Sequence, residues 1–125
     1  MDAEQAKRVV DEINAYLTSK PWLDFEVMEY RGYRLVIMGS LDTSTAHDVE
    51  IWFEPVFFVS LPIEWKTDTS SPPLSLVTGD KAIEVNRRFM VEHGNHLFGF
   101  SPEDYPDDFK CLISAQAIGF EIKKE

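Results

Sequence analysis

The segment HGNH is the first place in this sequence where side chains could hold a metal ion. It puts His93 and His96 three residues apart, directly after Glu92, and imidazole and carboxylate groups are common zinc ligands. The sequence has no HExxH motif, no cysteine pair and no third ligand at a telling distance. We therefore treat His93 and His96 as weak metal candidates, predict no cofactor, and expect capping or surface roles for both.

Three further features lack the pattern that catalysis or ligand binding needs. The loop SPEDYPDDF is rich in carboxylates but lacks the spacing of a calcium loop. Cys111 is the single cysteine, and without a histidine-containing signature around it a buried structural thiol is expected. The glycines are dispersed, so neither a P-loop nor a dinucleotide fingerprint is present. These features favour a protein that is not an enzyme.

The strongest pattern is the segment DVEIWFEPVFFVSLPIEW, residues 48–65. Its odd-numbered positions are all apolar, as in a strand with one buried face. Its even-numbered positions are polar at both ends but also carry Trp52, Val56 and Phe58. A half-buried strand does not normally turn such side chains toward water. Something must therefore cover the second face of this segment.

An aromatic patch with an acidic rim is the functional interpretation of that second face. Aromatic anchors inside a polar rim are typical of protein-binding surfaces. The candidate partner-binding residues are Trp52, Phe58, Val56, Glu50, Glu54 and Glu64. The alternative is structural, because a second layer of the fold or the other copy of a homodimer would also hide Trp52 and Phe58.

The same segment is too long for one ordinary strand, so it must bend or break. Pro55 is the candidate position, because it has no N–H for a ladder and its φ does not suit a tight hairpin. We predict a bend near Glu54-Pro55 that keeps one face on the core. The residues predicted to be buried on that face are Phe53, Phe57, Val59 and Leu61.

The other elements follow from hydrophobic periodicity and turn signals. Apolar residues at three-and-four spacing predict a helix over residues 2–19, with Asp2 as N-cap and Gln5 completing a capping box. The ambiguous segment 81–93 is predicted as a helix, with a strand pair around Gly94-Asn95 as the alternative. Further strands are predicted at residues 25–30, 33–40, 96–100 and 111–123, with a loop at 66–75.

Together these elements predict a single α+β domain over residues 1–125. Its mainly antiparallel, strongly bent sheet should have five or six strands, with the N-terminal helix and the second helix packed on it. The length of 125 residues is typical of one domain with one core.

The charge balance limits the kinds of partner. With 12 basic and 22 acidic residues the formal net charge is −10. The basic residues are scattered rather than arranged in a stripe, which argues against nucleic acid and against anionic membranes. A basic protein would be attracted, although a negative charge also serves solubility alone.

The sequence also predicts a cytoplasmic protein. No apolar run approaches the length of a membrane span, and Asp2 and Glu4 stand where a secretory peptide would carry positive charge. The single cysteine cannot form an internal disulfide, which agrees with a reducing compartment.

The layout of the chain resembles that of a known group of proteins. The N-terminal helix, the antiparallel strands, the run VEIWFEPVFFVSLP, the closing strand ISAQAIGFEI and the acidic balance are similar to those of small bacterial immunity proteins of polymorphic toxin systems and related uncharacterised α+β domains. The resemblance covers most of the chain. It implies a cytoplasmic, non-enzymatic protein that binds and blocks a cognate toxin, often a basic one, and it assigns no role to any residue.

The sequence therefore leaves three candidate functions. The leading prediction is an acidic protein-binding domain of the inhibitor or immunity type. The second is a small-molecule-binding or enzymatic domain with a pocket between the curved sheet and the helix. The third is a structural homodimer.

Overall fold

The computed structural model describes residues 1–42, 44 and 46–124. The elements follow in the order α1 (Ala3–Leu17), β1 (Trp22–Arg31), β2 (Arg34–Ser40), β3 (Val49–Ser60), β4 (Glu64–Asp68), β5 (Leu74–Val77), α2 (Gly79–Arg88), β6 (His96–Phe100) and β7 (Cys111–Ile122). All strands in the described part of the chain join one antiparallel sheet in the order β4-β1-β2-β3-β7-β6-β5. The predicted α+β class, the N-terminal helix and the bent antiparallel sheet are confirmed.

The strand number was underestimated. The sheet has seven strands across the described residues, whereas five or six were predicted. The extra strands come from the ends of the segment 66–75, which was predicted as a loop but contributes most of β4 and the start of β5. Both are short edge strands of four or five residues, and the polar, proline-containing segment between them gave the whole region the pattern of a loop.

Helix α1 begins with the predicted capping box. The Asp2 carboxylate accepts a hydrogen bond from the Gln5 N–H, and the Gln5 side chain accepts one from the Asp2 N–H, both at 2.8 Å. These bonds satisfy two backbone donors that the helix itself leaves unpaired. The apolar residues on one side of α1 are buried against the sheet: Ala6, Val10, Ile13 and Leu17. We call this side of the sheet the inner face.

The sheet is strongly curled, so that the inner surfaces of distant strands meet. Phe100 of β6 lies 5.3 Å from Phe25 of β1 and 5.4 Å from Trp65 of β4, measured between ring centroids. Phe53 of β3 lies 5.3 Å from Phe98 of β6. Ring pairs at these separations stabilise a core beyond their buried area. The aromatic side chains therefore fill the space that the curl encloses.

The side of the chain that faces the core changes in β3 and β7 at the same level. In β3, Phe53 is buried before the cis peptide Glu54–Pro55, and Val56 packs on the core after it. Their partners in β7 are Ile118 and Ala115, which are both buried. Two residues separate the core positions in each strand, where a regular strand would have one. The two longest strands therefore turn together, which agrees with the bend predicted at Glu54-Pro55.

This change of phase overturns part of the predicted core. Phe53 is buried and Leu61 packs partly against the core, but Phe57 and Val59 are 38% and 43% exposed. A register shift between Val56 and Phe58 then returns the chain to its earlier phase, so Val59 is on the inner face opposite Ile113 but is exposed because the covered core does not extend to it. Strict alternation through Pro55 was therefore the wrong assumption.

Helix α2 is shorter than the predicted helix at 81–93. It ends at Arg88, and Met90 follows with a positive φ of 52°, a backbone conformation that does not continue a right-handed helix. The Phe89 ring stacks on Phe58 of β3 with centroids 4.1 Å apart. Because Phe58 lies opposite Ser114 and Ser114 opposite Leu97, α2 stands over the outer face at the β3–β7–β6 end of the sheet. The predicted strand at 96–100 is confirmed as β6.

Candidate functional site

Four glutamates from four strands form one line across the outer face of the sheet. Glu64 pairs with Glu26, Glu26 with Met38, Met38 with Glu50, and Glu50 with Glu121. Directly paired residues in a sheet point to the same side. We call the glutamates Glu64, Glu26, Glu50 and Glu121 the acidic row.

The acidic row lies on the side of the sheet opposite α1. The neighbours of its members along the strands, Phe25, Ile37 and Ile51, are all buried in the core, and successive residues of a strand point to opposite faces. Glu64 and Glu121 are exposed, while Glu26 and Glu50 are half-buried. Since α2 packs near Phe58, at the other end of this face, the row remains open to solvent.

One half of the acidic row is neutralised by the chain itself. Lys123 Nζ lies 3.1 Å from a Glu121 carboxylate oxygen and 3.6 Å from one of Glu50, and His47 Nε2 lies 2.5 Å from Glu50 Oε2. The hydrogen bond from His47, assisted by the charge of Lys123, lowers the pKa of Glu50. The bond to Glu121 and the charge of Glu50 raise the pKa of Lys123. Lys123 therefore lies between Glu50 and Glu121 as an intramolecular cation.

The other half of the row has no such ion pair among the described residues, although Lys66 lies beside it, opposite Asp24. Glu26 and Glu64 are directly paired across β1 and β4, an arrangement that destabilises a sheet when both charges are alike. Within the described residues neither carboxylate takes part in an ion pair or hydrogen bond. A concavity of about 360 Å³ lies at this position, lined also by Asp24, Ser40 and Lys66. This end of the row can accept a cationic group from outside.

Trp52 lies on the same face, one row further along. It pairs with Val36 and with Gly119, and the guanidinium carbon of Arg34 lies 4.9 Å from the centre of its ring. A Cβ at Gly119 would come within 2.6 Å of the indole ring, so the ring lies flat over this glycine. Trp52 is therefore half-buried, with part of its ring available to a partner.

The fit of Trp52 over Gly119 makes a stability prediction. Gly119→Ala should lower the free energy of unfolding by about 1–3 kcal/mol, because the new methyl group would overpack the space beneath the ring. Urea unfolding followed by tryptophan fluorescence measures this loss. The control is Ala117→Gly, on the same strand as Gly119. Gly32→Ala is not used, because the positive φ of Gly32 would add backbone strain. An unchanged midpoint for Gly119→Ala would contradict the described packing.

The structure brings together only part of the predicted site. Glu50, Glu64 and Trp52 share the outer face, and Glu54 is exposed at the corner where β3 turns. Val56 packs against the core, and Phe58 stacks on Phe89. Val56 and Phe58 therefore do not form one patch with Trp52.

Sequence reasoning missed Glu26 and Glu121. Each lies in a strand where polar and apolar residues alternate, and Glu121 stands between Phe120 and Ile122. That alternation shows which face each glutamate occupies. It does not show that they lie in line with Glu50 and Glu64, because this depends on strand order and register.

The two histidines of the weak metal candidate have ordinary surroundings. His96 Nε2 donates a hydrogen bond to the backbone carbonyl of Met1 at 2.9 Å, and His93 is exposed. Across residues 1–42, 44 and 46–124, no three or more His, Cys, Asp or Glu side chains are grouped so that they could hold a metal ion.

Cys111 is fully buried at the start of β7. Burial raises the pKa of its thiol to about 12, because removal from water disfavours the thiolate. The thiol is therefore neutral over the physiological range. Nothing in its environment prepares it as a nucleophile.

This burial predicts slow chemical modification. At pH 8 the folded protein should react with a disulfide reagent such as Ellman's reagent at least about a hundredfold more slowly than the protein unfolded in guanidinium, because only the exposed thiolate attacks. Release of the coloured thiol product measures both rates, and Cys111→Ser gives the background. Equal rates in the two states would show that Cys111 is accessible.

Comparison with protein-family models, with curated proteins and with solved structures found no match to this chain. No helix among the described residues combines the length and the apolar character needed to cross a membrane. The class of protein defined by fold and site is thus an α+β domain with an open acidic sheet face.

Proposed function

We propose that this chain is a non-enzymatic protein-binding domain that holds a basic protein on the outer face of its sheet. An immunity or inhibitor protein that blocks such a partner is the particular form we propose. The observation that carries the proposal is the Glu26–Glu64 pair, two directly opposed glutamates on an open face, neither of which forms an ion pair among the described residues.

The contrast between the two halves of the acidic row supports this function. Glu50 and Glu121 hold Lys123 between them, which shows the kind of group that an opposed glutamate pair binds. A lysine or arginine from a partner would relieve the repulsion between Glu26 and Glu64 in the same way. The formal net charge of −10 adds a long-range attraction for a basic partner.

The two other candidate functions have less support. A small-molecule pocket between the curved sheet and the helix would need enclosed space on the inner face, where aromatic side chains of β1, β3, β4 and β6 lie in contact. A homodimer through the outer face would bring two acidic rows together, and their repulsion opposes such a complex. No specific observation favours either function.

The proposal is tested by binding kinetics. The partner is captured from a native lysate by chemical cross-linking and identified, and its association with the double variant Glu26→Gln/Glu64→Gln is then measured at two salt concentrations. Loss of two acidic charges at the site should slow association by about three- to tenfold at low salt, with a smaller difference at high salt, because salt screens the attraction.

A control variant with the same loss of charge separates the site from the net charge. Glu4→Gln/Glu12→Gln removes two exposed glutamates of α1, on the other side of the molecule, and should change the association rate much less. If both double variants slow association equally, the acidic row contributes only through the net charge of the protein. An acidic partner, or one that binds both double variants as it binds the wild type, would contradict the proposal.

A further inference from the structure

We infer, resting on the proposed function, that the partner of the acidic row also inserts an apolar side chain at the open end of the curled sheet, beside Ile63. The docking site would then lie around the start of the edge strand β4. The partner segment is basic and carries at least one apolar residue next to its lysine or arginine.

The apolar part of this site consists of side chains that point toward the core side but are not covered. Tyr30, Val59 and Ile63 are 56%, 43% and 70% exposed. Tyr30 and Val59 are paired with Leu35 and Ile113, which are both buried, so both stand on the inner face beyond the covered core. We call Tyr30, Val59 and Ile63 the open-end residues.

The chain keeps these residues around one end of the curl. The Val27 N–H donates a hydrogen bond to the Ile63 carbonyl at 2.8 Å, which places Ile63 beside β1, three residues before Tyr30. Four residue steps separate Val59 from Ile63, so the two Cα atoms are at most about 14 Å apart. Val27, Val56 and Leu61 are partly buried against the core and form a packed base for the open-end residues.

The apolar end and the unpaired glutamates adjoin each other. Ile63 directly precedes Glu64, and Val27 directly follows Glu26. Ile63 and Glu64 are both exposed, and β4 is an edge strand. Because Glu64 belongs to the outer face and Tyr30 and Val59 belong to the inner face, a partner that contacts both groups must approach along the β4 edge.

Charge decides which occupant fits this edge. Neither Glu26 nor Glu64 forms an ion pair within the described part of the chain, which matches a basic segment. A second copy of this chain would bring a further formal charge of −10 and would meet repulsion rather than compensation. The acidic pair would mainly speed association. The apolar contact would slow dissociation, because its side chain is an anchor removed from water.

The test uses two synthetic peptides of equal charge, one alternating lysine with leucine and the other lysine with serine. Each is titrated into the ¹⁵N-labelled full chain, and amide shifts are followed by NMR. The lysine–leucine peptide should bind about tenfold more tightly, because leucine gains from burial and serine does not. It should shift the amides of the open-end residues as well as those of Glu26 and Glu64, whereas the lysine–serine peptide should shift only the glutamates.

Two variants of exposed apolar residues give a matched comparison. Ile63→Ser should abolish the preference for the leucine peptide and keep the weaker charge-dependent binding. Met90→Ser, which changes an 83% exposed residue after α2, should leave the preference intact.

The outcomes distinguish the inference from the proposed function. Equal binding of both peptides at the glutamates, or a leucine preference that maps to Trp52, overturns the inference and leaves the proposed function standing. If neither peptide perturbs Glu26 or Glu64 at millimolar concentration, both are overturned. Concentration-dependent shifts at Ile63 without peptide would identify a second copy as the occupant and overturn the basic partner segment.

Discussion

Replacing Phe53 with alanine should lower the free energy of unfolding by about 3–5 kcal/mol, the usual cost of removing a buried phenylalanine ring. Phe53 is fully buried just before the corner in β3, and its ring lies 5.3 Å from Phe98 and 6.4 Å from Phe100. The deletion leaves a cavity where the curled sheet meets itself. Because a domain of this size has a total stability of about 5–15 kcal/mol, the variant should be close to the limit of folding.

Urea unfolding followed by circular dichroism measures this change, with Val59→Ala as the control. Val59 belongs to the same strand and was assigned to the same buried face by the sequence pattern, but it is 43% exposed. Its substitution should cost less than about 1 kcal/mol, since little apolar area leaves the core. Similar losses for both variants would show that the buried core extends to Val59, contrary to its exposure in the structure.

The comparison of Phe53 with Val59 shows how far sequence patterns predicted the core. The alternation was correct up to Phe53, because a strand packed on one face buries every second residue. It failed between Pro55 and Phe58, where β3 and β7 turn together and the register shifts, and Val59 beyond them is on the inner face but outside the covered core. The proline marked where the bend lies. The new phase depends on the neighbouring strand and cannot be derived from β3 alone.

Helix α1 was predicted more reliably than the two edge strands for a physical reason. The capping box of Asp2 and Gln5 and the apolar stripe of α1 are local features, and both are present in the structure. The short strands β4 and β5 depend instead on pairing with β1 and β6, which lie far away in the sequence. Their own residues carry little signal of that pairing.

The same limit applies to the candidate site. Glu50, Glu64 and Trp52 were predicted as site residues, and the structure places them on one open face. The partners that give the acidic row its chemistry, Glu26 and Glu121, come from strands next to β4 and β3 in the sheet. The strand order therefore had to be known before the unpaired Glu26–Glu64 pair could be recognised.

The second large effect is expected at Asn14, which closes the exposed edge of β5. Its Nδ2 donates a hydrogen bond to the Leu74 carbonyl at 2.7 Å, and the Leu74 N–H donates one to Asn14 Oδ1 at 3.1 Å. The amide of one helix residue thus takes the place of a neighbouring strand. Asn14→Ala should lower the free energy of unfolding by about 2–4 kcal/mol, because two buried backbone groups lose their partners.

The variant Asn14→Asp separates the hydrogen bonds from simple packing. A carboxylate still accepts from the Leu74 N–H but repels the Leu74 carbonyl, whereas a protonated carboxyl group can donate to it. The fold should therefore favour the protonated form and raise the pKa of this aspartate above its unfolded value. In that case the stability lost at pH 7 is partly regained as the pH falls, relative to the wild type at each pH. Urea unfolding between pH 4 and 7, with amide exchange of Leu74, measures both effects. A variant that loses stability in parallel with the wild type as the pH falls would show that Asn14 acts through its volume and not through these two bonds.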